Sequence, residues 1–87
     1  MNTNNISSSK PYLVRSIYEW CIDNDLTPFM FVKVNPEIDI PAEYVTNGEI
    51  VFNISSNAIR DLVINNELIC FTARFNGIPR KLLIPIN

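Results

Sequence analysis

The 87 residues are 47% hydrophobic and only 18% charged, with a formal net charge of -2 and no histidine. A chain this short forms one domain that buries about 60 to 65% of the surface exposed by its unfolded form; with charge below the roughly 25% of an average domain, self-association is favoured. The acidic balance argues against non-specific binding to phosphate backbones or anionic lipid, both of which need a basic excess.

Met1 to Ser9 is polar and rich in Asn and Ser, with no basic stretch followed by an apolar run, so it reads as a flexible lead and not as a secretory signal. No segment approaches the roughly 20 apolar residues of a membrane span. Cys21 and Cys70 lie far apart in apolar surroundings without CxxC spacing, which suits buried thiols in a reducing, cytoplasmic setting and neither a disulfide nor a metal.

Lys10 to Asn87 makes the single domain. Ser9 can cap a helix, Pro11 is tolerated in its first turn, and the helix is expected to run to about Asn24. At about 100° per residue, Arg15, Ser16, Glu19 and Asp23 gather on a polar stripe. Leu13, Ile17 and Trp20 form one apolar patch, and Val14, Tyr18, Cys21 and Ile22 another. Together the patches cover roughly 200°, where one core contact needs about 100°. Either the helix sinks into one core, or one patch packs on the domain and the other on a second copy. Val14, Tyr18, Cys21 and Ile22 are assigned to the second copy, in a symmetric homodimer.

After Pro28 the pattern turns to period two, with Met30, Val32 and Val34 opposite Phe29, Phe31 and Lys33, as in a strand. Asn35 to Pro41 reads as an extended loop. Asn47-Gly48, between Tyr44-Val45 and Ile50-Val51, is a strong hairpin signal because both residues tolerate positive φ. Glu49 to Ser55 alternates again, Ser55-Ser56-Asn57 interrupts the ladder, and Ala58 to Asp61 is expected to make one helical turn. Leu62 to Ile64 is a short strand, Asn65-Asn66 a turn, and Leu68 to Phe75 a longer strand ending at Asn76-Gly77. Pro79 limits the last strand, Arg80 to Ile86, to an edge at its beginning. The fold class is therefore mainly β (α+β): one helix, then about five antiparallel strands in a curved sheet that curls into a small, partly open barrel.

No cofactor site and no enzyme's polar constellation is present: there is no phosphate-binding loop and no nucleophile with a neighbouring base. Asp23 with Asp25, and Glu37 with Asp39, read as solvated carboxylates. On Leu68 to Phe75, one face carries Ile69, Phe71, Ala73 and Phe75, and the other Leu68, Cys70, Thr72 and Arg74. This strand is either buried on both sides, or small Ala73 leaves a notch between aromatic walls for an extended peptide, held by main-chain hydrogen bonds. Arg74, Arg80 and Lys81 then surround the notch with positive charge and favour an acidic guest. The same three residues leave open a small Sm-like RNA-binding module as the rival reading.

The blocks Pro11-Tyr12-Leu13-x-Arg15, Tyr18-Glu19-Trp20, Asp23-Asn24-x-Leu26-Thr27-Pro28, Ile50-Val51-x-Asn53-Ile54-Ser55 and Phe71-x-Ala73-Arg74-Phe75-x-Gly77-x-Pro79-Arg80, spread in order from Lys10 to Pro85, resemble the stringent starvation protein B family, SspB. The resemblance implies a curved Sm-like sheet, a dimer through the N-terminal helix, and an adaptor that captures the ssrA tag of tmRNA-tagged proteins for the ClpXP protease. It leaves the ribosome open as a further partner. By the same resemblance the peptide groove includes Asn53, Ser55, Ala58, Phe71, Ala73, Arg74, Phe75, Gly77 and Arg80. Asn76 stands where the family often has a second glycine, implying a stiffer turn. The sequence given ends at Asn87, where family members continue into a flexible tail that docks on ClpX; tag capture is expected to survive without it, and delivery to weaken.

Overall fold

The computed structural model describes residues 6–86. The expectation of a flexible lead, with no secretory signal, falls largely on residues 1–5, outside the described residues. Helix α1 spans Lys10–Asp23, followed by β1 Phe29–Lys33, a 3-10 turn Ala42–Tyr44, β2 Glu49–Asn53, β3 Arg60–Ile64, β4 Leu68–Phe75 and β5 Ile78–Pro85. The expected class holds: one helix, then five antiparallel strands, in an arrangement that is not closed.

The meander is split, however, into a β1–β2 pair and a β3–β4–β5 sheet. The division falls at Ser55, where polar side chains compete with the ladder. Asn53 Oδ1 accepts the Ser55 N–H at 3.0 Å, and the Ala58 and Ile59 N–H groups turn back to the Ser55 carbonyl. This turn comes about three residues earlier than the sequence suggested, so β3 starts at Arg60 and not at Leu62.

The two sheets meet over one core. Val32, Ile50, Phe52 and Ile54 from the first face Ile69, Phe71, Ala73, Phe75, Leu82 and Ile84 from the second. Phe52 stands edge-on to Phe71 (5.1 Å between centroids) and to Phe75 (6.4 Å), the geometry that aromatic quadrupoles favour. Phe71 is 1% exposed, so its burial alone contributes about 1.5 to 3 kcal/mol.

Both Asn-Gly turns take the expected left-handed form. Asn47 and Gly48 have φ of 53° and 75°, and Asn76 and Gly77 of 54° and 79°, as a two-residue hairpin of matching twist requires. In the β4–β5 ladder, Leu68 pairs with Pro85 and Arg74 with Pro79. Neither proline has an N–H, and at these positions the main chain of β5 faces outward. The outer edge of β5 is therefore blunted at both ends, with Lys81 between them.

Helix α1 is covered on one side only, which removes the reading of a helix sunk in the core and turns the side of Val14 and Tyr18, not that of Leu13, Ile17 and Trp20, toward the domain. Pro11 is buried, and Val14 and Tyr18 pack against the chain's own core. Arg15 reaches the Ile64 carbonyl at 3.4 Å, and the Tyr12 hydroxyl accepts from Asn66 at 3.3 Å, so the inward side rests on β3 and the β3–β4 turn. Cys21 is half-buried. Of the four residues assigned to a second copy, Ile22 alone is fully classed with the surface. The outward patch is Leu13, Ile17 and Trp20, exposed by 57, 61 and 59%. The physical reason is the entry of the chain: with Pro11 buried at the helix start, residues one turn and two turns later on its side also lie inward. A radius of gyration of 14.2 Å, against about 12 Å for a compact chain of this length, fits a helix laid on the outside.

At the helix start, the Ser9 carbonyl accepts from Leu13, but its hydroxyl caps nothing; the Ser8 hydroxyl instead takes the Lys10 N–H at 3.2 Å. Both cysteines are half-buried thiols, less sequestered than their apolar neighbours suggested.

Candidate functional site

Between the sheets lies a groove of about 1020 Å³, bounded by β2, the Ser56–Ile59 turn, the start of β3, and the end of β4, with Tyr18 and Tyr44 at its margins. Its lining mixes a buried apolar floor (Ile50, Phe52, Ala73, Phe75) with an exposed polar rim (Asn53, Asn57, Arg60, Asp61, Arg74).

The main chain makes this groove unusual, because two strand edges open into it. The Ile54 N–H donates to the Pro28 carbonyl at 3.0 Å, and the Val34 N–H to the Gly48 carbonyl at 2.8 Å. In an antiparallel ladder a residue's N–H and C=O point the same way, and the direction alternates along the strand. Ile50, Phe52 and Ile54 therefore face β1, while Glu49, Val51 and Asn53 face away. Glu49 exchanges both of its bonds with Thr46. No strand lies alongside Val51 and Asn53 among the described residues.

On the opposite wall, the two-residue turn at Asn76-Gly77 makes Phe75 and Ile78 a mutually bonded pair, so Phe75 and Ala73 face β5 while Arg74 and Thr72 face β3. Thr72 lies opposite Arg60, the first residue of β3. Arg74 lies beyond the end of β3, and its main-chain groups open into the groove.

A clamp closes one end. The Tyr44 hydroxyl donates to Asn76 Oδ1 at 2.8 Å and accepts from the Asn76 N–H at 2.9 Å, and Asn76 Nδ2 donates to Glu43 at 2.8 Å. The Tyr44 ring stands edge-on to Phe75 with centroids 4.9 Å apart. Asn76 thus does more than stiffen its turn, since it ties the β1–β2 connection to the β4–β5 hairpin.

Of the nine residues expected at the groove, Asn53, Ala58, Ala73, Arg74 and Phe75 line it. The other four stand elsewhere. Phe71 is wholly in the core, Ser55 and Gly77 lie off the lining, and Arg80 is held by Asp39 at 3.0 Å. Arg80 pairs with Ala73 across the ladder, which carries it to the β5 side and away from the open edge. Lys81 is exposed on the outer face of the sheet, opposite Thr72. Sequence reasoning missed Arg60, Tyr44, Tyr18 and Val51. The period-two pattern of Glu49 to Ser55 could have drawn attention to Val51, but nothing local marked the other three.

The fold and groove together define a small helix-plus-β domain whose two sheets leave a cleft with unpaired strand edges on both walls. A family model described as Stringent starvation protein B matches residues 8–87. A Haemophilus influenzae protein named Stringent starvation protein B homolog is 42% identical over 82 residues, covering 93% of this chain and 55% of its own length. The chain belongs to the stringent starvation protein B family. It spans about half the length of that relative.

Proposed function

We propose that this domain is the tag-capturing part of a non-enzymatic, cytoplasmic adaptor, which binds the ssrA degradation tag of tmRNA-tagged proteins and presents them to the ClpXP protease. The observation that carries the reading is the pair of open edges: Val51 and Asn53 on β2, with Arg74 facing them, offer main-chain donors and acceptors to one foreign extended segment. Such strand addition gives affinity through the backbone and leaves specificity to the side chains that fill alternate pockets. Ala73, small and 7% exposed on the groove floor, keeps that space open. Family membership supplies the direction of the argument, from a peptide groove to an adaptor.

Leu13, Ile17 and Trp20 make the homodimer contact in this proposal. Three large apolar side chains grouped on one exposed helix face, in a chain short of charge, suit a second copy of the same face.

The test of tag capture is a titration of a fluorescent ssrA peptide against the wild type and Ala73→Gln. Saturable binding at micromolar concentration or below, lost in the variant and absent for a scrambled peptide, supports the proposal. Equal affinity for tag and scrambled sequence overturns it. The RNA-binding rival rests on Arg74, Arg80 and Lys81, of which Lys81 is exposed on the outer face of the second sheet and Arg80 is paired with Asp39. It requires RNA affinity that falls steeply with added salt, together with no tag affinity.

A further inference from the structure

We infer that Arg60, and not Arg80, is the partner of Arg74 in recognising an acidic side chain of the bound peptide. The inference rests on the peptide-binding reading above and adds to it the residue that selects the guest's charge.

Three observations place Arg60 in this role. Its register opposite Thr72 puts it on the same face of the sheet as Thr72 and, two residues further along β4, Arg74. Arg60 and Arg74 both line the groove, one at the start of β3 and the other just past it. A guest segment that pairs with the open Arg74 main chain, beyond the end of β3, therefore turns its outward side chains onto the face that carries Arg74, Thr72 and Arg60. One carboxylate can be met by both, in the forked geometry that arginine offers and lysine does not.

The second observation is the state of the cations. Among the described residues, Arg80 forms the one ion pair, with Asp39, while Arg60 and Arg74 have no carboxylate within ion-pair distance. Arg80 is thus already satisfied by the loop that precedes the 3-10 turn. Arg60 and Arg74 remain available to an anion brought in from outside.

The third is the backbone at Arg60. Between Arg60 and Val63, β3 advances three residues while β4 advances two, from Thr72 to Cys70. Asp61 takes up the extra residue with φ of 56°. Bulges of this kind redirect side chains where a ladder ends. Here the bulge leaves Asp61 on the groove lining beside Arg60, so the rim is not uniformly basic. A carboxylate is attracted at the Arg60–Arg74 position and repelled one step away, which fixes the register of the guest.

The experiment is a titration of the ssrA peptide, and of the same peptide with its acidic residues replaced by their amides, against wild type, Arg60→Ala and Arg80→Ala. Wild type is expected to prefer the acidic peptide. Arg60→Ala is expected to weaken that peptide about five- to twentyfold and the amide peptide less than twofold, with the difference shrinking as salt rises. Arg80→Ala is expected to change neither by more than about twofold. If wild type binds the tag and Arg60→Ala binds both peptides as wild type does, or if Arg80→Ala removes the acidic preference, this inference is overturned while tag capture stands. If wild type binds neither peptide, tag capture itself falls, and this inference with it.

Discussion

Replacing Tyr44 by Phe isolates the clamp between the 3-10 turn and the β4–β5 hairpin. The ring and its edge-on contact with Phe75 stay, while the hydroxyl's two bonds to Asn76 disappear. A hydrogen bond in a folded protein contributes about 0.5 to 1.5 kcal/mol net, so the two give about 1 to 3 kcal/mol. Asn76 is exposed, and water can take over its N–H and Oδ1, which sets the expected loss near the lower end, about 1 to 1.5 kcal/mol. With an unfolding entropy of about 2.1 cal/mol/K per residue, 87 residues give about 0.18 kcal/mol/K. The midpoint of thermal unfolding should fall by about 5 to 8 °C, measured by circular dichroism. Asn76→Gly provides the internal comparison, because glycine accepts the positive φ and keeps the N–H that bonds the Tyr44 hydroxyl. It loses the two side-chain bonds and should fall by a similar or smaller amount. A Tyr44→Phe midpoint within about 1 °C of wild type refutes the clamp as an energetic link.

Phe71→Ala removes the most deeply buried aromatic side chain and its contact with Phe52, and should cost about 3 to 5 kcal/mol in a urea titration; a loss under about 1 kcal/mol contradicts the core described here. Ile17→Asp should convert the sedimenting species from two subunits to one while leaving the far-ultraviolet spectrum intact, because Ile17 is 61% exposed; an unchanged mass removes Leu13, Ile17 and Trp20 as the dimer contact. Tyr18→Asp should instead lower stability, since Tyr18 packs on the chain's own core. A stable Tyr18→Asp monomer restores the opposite helix face as the interface. Arg80→Ala should leave stability within about 1 kcal/mol, as expected for a surface ion pair whose carboxylate is largely solvated.

Local signals carried most of the fold. The Asn76-Gly77 turn sets the β4–β5 hairpin, while Asn47-Gly48 makes a tight turn closed by the single Thr46–Glu49 bridge, with Ala42–Tyr44 a 3-10 turn and not the expected strand; few other pairs accept consecutive positive φ. The alternation of Leu68 to Phe75 gave the two faces of β4 as they stand. What escaped depends on residues far apart in the chain. Arg80 and Asp39 are separated by 41 positions, and Tyr44 and Asn76 by 32. No periodicity predicts such meetings, so Arg80 read as a free groove cation and Tyr44 only as a flank of the Asn47-Gly48 turn. The rotation of α1 was also illegible, because two apolar patches of similar size fit either orientation until Pro11 is seen to dock. Arg60 was hidden by the bulge at Asp61, since the sequence placed the strand's start two residues later.

Strand addition at the β2 edge is tested most directly by amide hydrogen exchange of Val51 and Asn53, read by nuclear magnetic resonance with and without saturating ssrA peptide. These two amides point into the groove, whereas that of Phe52 is already engaged with β1. The account requires Val51 and Asn53 to slow at least tenfold on peptide binding while Phe52 changes little. Bound peptide with both amides still exchanging at their free rates contradicts it.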